Sequence, residues 1–251
     1  MQPKKTPVLF RMIKGAIRIC YRNYSLQGLE NLPNEACVVV ANHSQLHGPL
    51  ASELYFPERR MTWCAGQMMH LKDVPAYAFQ DFWSQKPKRS QPYYKLCSYL
   101  IAPLSAFLFT HADTIGVYHD ARILSTFKKT VAALQQGINV IIFPEHDVKH
   151  NNIVYELQDR FINVAKHYHR KTGKCLQFVP MYIAPNLNQM VLGKPVVFDP
   201  EKPMDDERLR ICTELQDRIT ELGEGLPLHT VVPYRNIPKK QYPKNRMEEK
   251  Q

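Results

Sequence analysis

The chain has 251 residues, with 33 Lys and Arg against 23 Asp and Glu and a formal net charge of +10. That length suits one substantial α/β domain and is short for two, and the excess of cations favours anionic partners. The six cysteines contain no Cys-x-x-Cys pair and follow no signal peptide, so neither a disulfide framework nor a zinc ribbon is expected, and a reducing cytosol fits best.

Residues 1 to 22 carry Lys4, Lys5, Arg11, Lys14, Arg18 and Arg22 and no acid, interleaved with apolar side chains at helical spacing. This predicts a basic amphipathic helix that either packs on its own domain or lies on a membrane. Residues 36 to 41 (ACVVVA) read as a buried strand, 49 to 56 as a helix and 61 to 65 as a strand. The segment from Tyr93 to Phe109 is rich in Leu and aromatics and follows the cations Lys86, Lys88 and Arg89, an arrangement suited to an anionic bilayer surface. The uncharged stretch from Leu96 to Ala112 contains Pro103 and falls short of the roughly 18 to 20 apolar residues of a membrane span, so no transmembrane helix is expected.

Further strands are predicted at 114 to 118, 138 to 143, 176 to 183 and 190 to 198, and helices at 120 to 136, 152 to 171 and 204 to 222. From about Pro233 the chain is rich in Pro and Lys and reads as a tail or a wrapped arm. The expected organisation is therefore a helix over 1–22, a domain over 23–232 and a basic tail over 233–251. The fold class is α/β, a mixed, largely parallel sheet covered by helices, with polar loops at the strand ends carrying the site.

Two strand ends hold the chemistry. The first runs Val40-Ala41-Asn42-His43-Ser44-Gln45-Leu46-His47-Gly48, the second Ile142-Phe143-Pro144-Glu145-His146. Together with Gly28-Leu29-Glu30-Asn31-Leu32-Pro33, Thr114-Ile115-Gly116-Val117, Val179-Pro180-Met181-Tyr182 and Gly193-Lys194-Pro195-Val196, they occur in the order and spacing of a known group of enzymes. From about residue 24 to 200 the chain resembles the glycerolipid acyltransferases of the bacterial lysophosphatidate acyltransferase family.

The resemblance implies O-acyl transfer without a covalent enzyme intermediate and without a resident cofactor. His43 would take a proton from an acceptor hydroxyl, which attacks the thioester of acyl-CoA or acyl-carrier protein; Glu145 would share the catalytic site. An imidazole suits the role because its ordinary pKa of about 6.5 leaves it partly neutral in the cell. Asn42, His47, His119, Phe143, Pro144, His146, Asp147 and Lys149, which stand at or beside the motif positions, are the substrate-binding candidates. The implied partners are a lysolipid acceptor and an anionic membrane surface, with the protein peripheral on its cytoplasmic, inner face.

The departures from the family pattern are as informative. Five residues after His43, where the family holds an orienting aspartate, stands Gly48; Glu145, Asp147 or Glu53 would have to reach the imidazole instead. The family's basic residue in the second motif falls on His119, and the glycine, threonine and arginine after Phe-Pro-Glu fall on His146, Asp147 and Val148. Loss of an arginine fork removes the usual partner of a phosphate, and Lys149 brings charge without that geometry. A catalytically impaired lipid-binding relative is therefore one alternative. A metal hydrolase is another, since His43 with His47 and His146 with His150 are spaced four apart near Glu145 and Asp147. Nucleic acid is not an expected partner, because the cations gather on the first helix and the tail and no recognised binding motif occurs.

Overall fold

The computed structural model describes residues 7–84 and 86–247; Lys4, Lys5 and the last four residues of the tail lie outside them. In chain order the elements are α1 (Val8–Cys20), β1 (Ser25–Gln27), β2 (Val38–Ala41), α2 (His47–Tyr55), β3 (Arg60–Ala65), α3 (Val74–Ala78), α4 (Gln91–His111), β4 (Thr114–Val117), α5 (Ile123–Gln135), β5 (Asn139–Ile142), α6 (Asn163–Thr172), β6 (Gln177–Ala184), β7 (Gln189–Leu192), β8 (Val196–Val197) and α7 (Met204–Glu224). They make a mixed, largely parallel α/β fold. By contacts the chain divides into two compact units, Met1–Tyr21 with Met61–Thr126, and Arg22–Arg60 with Phe127–Gln251.

The second unit holds the strand order β1-β7-β6-β2-β5. β2 lies parallel between β5 and β6, with Val40 opposite both Ile142 and Pro180. β1 runs parallel to β7, whereas β7 and β8 run antiparallel to β6. Every residue of β2 and β5 is buried, which is why both read as unbroken apolar runs: a central parallel strand has no face to give to water. Because β2 and β5 are parallel neighbours, the loops that leave Ala41 and Ile142 emerge at the same edge of the sheet, the place where open α/β sheets carry their sites. α7 buries Ile211, Leu215 and Ile219 at a spacing of four and places Asp205, Asp206 and Glu207 in its first turn, where acids complement the helix dipole.

Two elements differ from the sequence reading. The helix expected over 152 to 171 begins only at Asn163, after a 3-10 turn at Asp159–Ile162. Its apolar residues Ile153 and Leu157 are buried as the periodicity implied, but residues 154 to 158 are drawn out against the loop after β5. The strand expected over 190 to 198 is split into β7 and β8. The Gly193 amide donates back to the Pro180 carbonyl at 2.8 Å and Pro195 has no amide to offer a ladder.

In the first unit β3 and β4 pair in parallel, Trp63 opposite Ile115. Met68, Val74, Ala78 and Ala102 form a core to which Ile101, Ala106 and Phe109 add. α4 has a reversed burial pattern. It buries Ser98, Ala102 and Ser105, while Tyr93, Leu96, Tyr99, Leu100 and Leu104 are exposed, Leu100 by 71%. α1 likewise exposes Val8, Leu9, Met12 and Ile19. Among the described residues no helix is long and apolar enough to cross a membrane.

Candidate active site

The loop after β2 is built on Asn42. Its side chain, 1% exposed, accepts from the Ile183 amide at 2.7 Å and donates to the Ile183 carbonyl at 3.0 Å and to Ser44 Oγ at 2.7 Å. Asn42 thereby fastens the end of β2 to β6. Beyond it Ser44 and Gln45 both take left-handed backbone angles, with φ of 46° and 55°, and the Gly48 amide closes the loop on the His43 carbonyl at 3.1 Å.

That closure explains Gly48. A Cβ there would lie 2.4 Å from the His43 carbonyl oxygen, closer than such atoms approach. The position that carries an orienting aspartate in the resembled family has no room for a side chain in this loop.

Glu145, at the end of β5, is 3% exposed and holds the two halves of the motif together. One carboxylate oxygen accepts from the backbone amide of His43, 102 residues away in sequence, and the other from the Tyr155 amide at 3.0 Å. Burial pushes its carboxyl up to about 7, and the two donated hydrogen bonds restrain that rise. The adjoining loop pairs with the segment after it: His146 N donates to Glu156 O at 2.6 Å, Glu156 N to Val148 O at 3.1 Å and Gln158 N to Pro144 O at 2.8 Å.

The His43 ring is gripped by aromatics. Phe143 meets it edge to face at 5.4 Å between centroids and Tyr234 at 5.1 Å. Its Nδ1 is buried and finds no hydrogen-bond partner among the described residues. Burial pushes the imidazole down to about 4, opposed in part by the backbone of Gln45 and of His43 itself, so the ring is neutral at cellular pH. None of the three carboxylates considered from sequence touches it. Glu145 binds the backbone amide, Glu53 pairs with Arg60 at 2.9 Å, and Asp147 pairs with Arg235.

The remaining candidates are spread out. His47 is half-buried in the first turn of α2, its pKa lowered by burial and then by Lys239. Phe143 packs on the His43 ring and Pro144 is buried beside it in sequence, whereas His146, Asp147 and Lys149 are exposed beyond them. His119 is exposed next to Asp120 in the first unit, where Asp120 forms a fork with Arg122. Among the described residues no three His, Cys, Asp or Glu side chains converge to hold a metal ion. A cavity lined by Lys166, His169, Arg170, Phe198 and Lys202 lies elsewhere in the second unit and includes none of the motif residues.

The sequence reading allowed a wrapped arm from about Pro233 but named none of its residues for the site. Residues 229 to 245 double back, with Val231 N on Pro243 O at 2.9 Å and Asn245 N on His229 O at 3.1 Å. The turn between them lies over the site. Tyr234 covers His43, Gln45 Nε2 donates to Tyr242 Oη at 2.9 Å and to the Arg235 carbonyl at 3.3 Å, and Arg235 grips Asp147. Two tyrosines in an otherwise Pro- and Lys-rich stretch were the signal for an arm that packs.

No protein-family model matches the chain, and no curated protein matches it in sequence. Among solved structures it is similar to the 1-acyl-sn-glycerophosphate (LPA) acyltransferase PlsC from Thermotoga maritima, with a TM-score of 0.45 and 14% identity over 85% of this chain and 78% of that one. The likeness concerns the fold alone.

Proposed function

We propose that the protein is an O-acyltransferase that moves a fatty acyl chain from acyl-CoA or acyl-carrier protein to the hydroxyl of a lysolipid at a membrane surface. The observation that carries this reading is the meeting of Asn42-His43 and Phe143-Pro144-Glu145 at one edge of the sheet, joined by the Glu145 carboxylate on the His43 amide. With Nδ1 buried, Nε2 is the nitrogen left to serve the acceptor. The hydroxyl proton passes to Nε2 as the acceptor oxygen bonds to the thioester carbon; the carbon–sulfur bond then breaks and the imidazolium gives that proton to the leaving thiolate. A neutral imidazole is ready to accept a proton, and positioned proton transfer contributes about 10² to 10⁴-fold. In this reading the ring is oriented by Phe143 and Tyr234 in place of a carboxylate.

The membrane part of the proposal rests on α1 and α4, whose large apolar side chains face outward. Cations accompany both, Arg11, Lys14 and Arg18 on α1 and Lys86, Lys88 and Arg89 just before α4, as expected of a protein that lies peripherally on an anionic, inner membrane face. A lipid-binding protein without transferase activity is favoured by one specific feature, the unpartnered Nδ1, since a buried imidazolium there would have no counter-charge. Incubation of the purified protein with labelled acyl-CoA or acyl-carrier protein and a panel of lysolipids separates the two. Label in the lipid product supports transfer, and its absence with every donor and acceptor leaves lipid binding.

A further inference from the structure

The two motif loops, residues 42 to 48 and 143 to 148, contain no Lys or Arg, and the place of the resembled family's arginine falls on exposed Val148. A guanidinium nevertheless reaches this spot from the C-terminal arm. Arg235 Nε lies 2.5 Å from Asp147 Oδ1 and its terminal nitrogen 2.8 Å from Oδ2, a two-pronged fork on a single carboxylate. The preceding residue, Tyr234, covers the His43 ring, and the Arg235 carbonyl is held by Gln45, so the backbone that carries the fork is fastened to the loop of His43 on both sides.

The pair is not needed to hold the arm down. The arm is fastened by the backbone pairing of Val231 with Pro243 and of His229 with Asn245, and by Gln45 on Tyr242. The side chains of Arg235 and Asp147 are 54% and 60% exposed, and an ion pair that open to water adds little to stability. It is also exchangeable. A phosphate monoester brings more charge and three acceptor oxygens to the same fork and competes well against one carboxylate.

Resting on the acyl-transfer reading, we propose that Arg235 is a specificity-determining residue that binds the phosphate of a substrate, and that Asp147 is an internal occupant of the fork which the phosphate displaces. The test is calorimetric binding of a short-chain lysophosphatidate, the monoacylglycerol of the same chain, and coenzyme A to the wild type, Arg235→Gln and Asp147→Asn. Wild type is expected to prefer lysophosphatidate to monoacylglycerol. Arg235→Gln should weaken lysophosphatidate at least about tenfold and leave monoacylglycerol unchanged, the size expected for hydrogen bonds to a charged group. Asp147→Asn should tighten lysophosphatidate severalfold. If the tenfold loss falls on coenzyme A instead, the phosphate belongs to the donor. The proposal is overturned if wild type shows no preference for either phosphate-bearing ligand, if Arg235→Gln binds all three as wild type does, or if both variants shift binding in the same direction, as a merely structural pair would. These readouts need no turnover, so a protein that binds as described and transfers nothing keeps the Arg235 assignment while losing the transferase reading.

Discussion

The loop after β2 and the loop after β5 both carry parts of one motif, yet they are held in opposite ways. The first is largely buried and tied from within: the Asn42 side chain on the Ile183 backbone, the Gly48 amide on the His43 carbonyl, two left-handed residues between. The second is buried only as far as Glu145; from His146 to His150 it is exposed, and its charged member Asp147 is met by Arg235 from 88 residues away. The difference separates a part of the site that must be shaped before any ligand arrives from a part that is free to exchange partners. It also predicts where substitutions are costly.

The largest effect is expected at Glu145, the contact between the two loops. Glu145→Ala strands the buried His43 and Tyr155 amides, at about 1 to 3 kcal/mol for each lost partner, so denaturant unfolding should show a loss of about 2 to 6 kcal/mol. Glu145→Gln keeps an acceptor oxygen and should lose less. Near-wild-type stability of Glu145→Ala would show that the loops are independent. Next comes Gly48. Either Gly48→Ala or Gly48→Asp forces a Cβ against the His43 carbonyl and should cost about 1 to 3 kcal/mol, as overpacking does. A missing aspartate can therefore not be restored by substitution alone; a stable, more active Gly48→Asp protein would contradict this.

The pH dependence sharpens the same contrast. His43 is lowered from 6.5 to about 4, so the unfolded chain binds the extra proton between those values and stability rises with pH through that window. Glu145 is raised from 4.5 to about 7, so there the folded chain binds the extra proton and stability falls as pH rises. Between 4.5 and 6.5 the two oppose each other. Relative to wild type, Glu145→Gln should therefore gain stability with rising pH and His43→Gln should lose it, each by up to about 1.4 kcal/mol per pH unit. Parallel curves for all three proteins would remove the coupling. The smallest effect is expected in the exposed loop: Asp147→Asn should change thermal stability by less than about 1 kcal/mol, because it opens an ion pair already in water.

The buried part of this arrangement was legible in the sequence. Central strands such as β2 and β5 announce themselves as apolar runs, and Asn42, His43 and Glu145 stand at their ends in recognisable order. The rest was hidden for physical reasons. Periodicity reports burial rather than conformation, so Ile153 and Leu157 suggested helix in a segment that the Phe143 loop draws out into pairing with itself. Composition cannot register that Gly48 is required by a carbonyl 2.4 Å from its missing Cβ. Nor does spacing reveal an ion pair such as Arg235 with Asp147, made across 88 residues by a segment that read equally as a tail or a wrapped arm.

The central claim is that His43 is the base of an acyl transfer. It is tested most directly by measuring label transfer from acyl-CoA or acyl-carrier protein to lysolipid for the wild type and for His43→Ala, with unfolding curves on both to establish that each is folded. Transfer by the wild type and a rate at least about 10²-fold lower for folded His43→Ala is the expected result. A folded His43→Ala protein that transfers at the wild-type rate would contradict the claim.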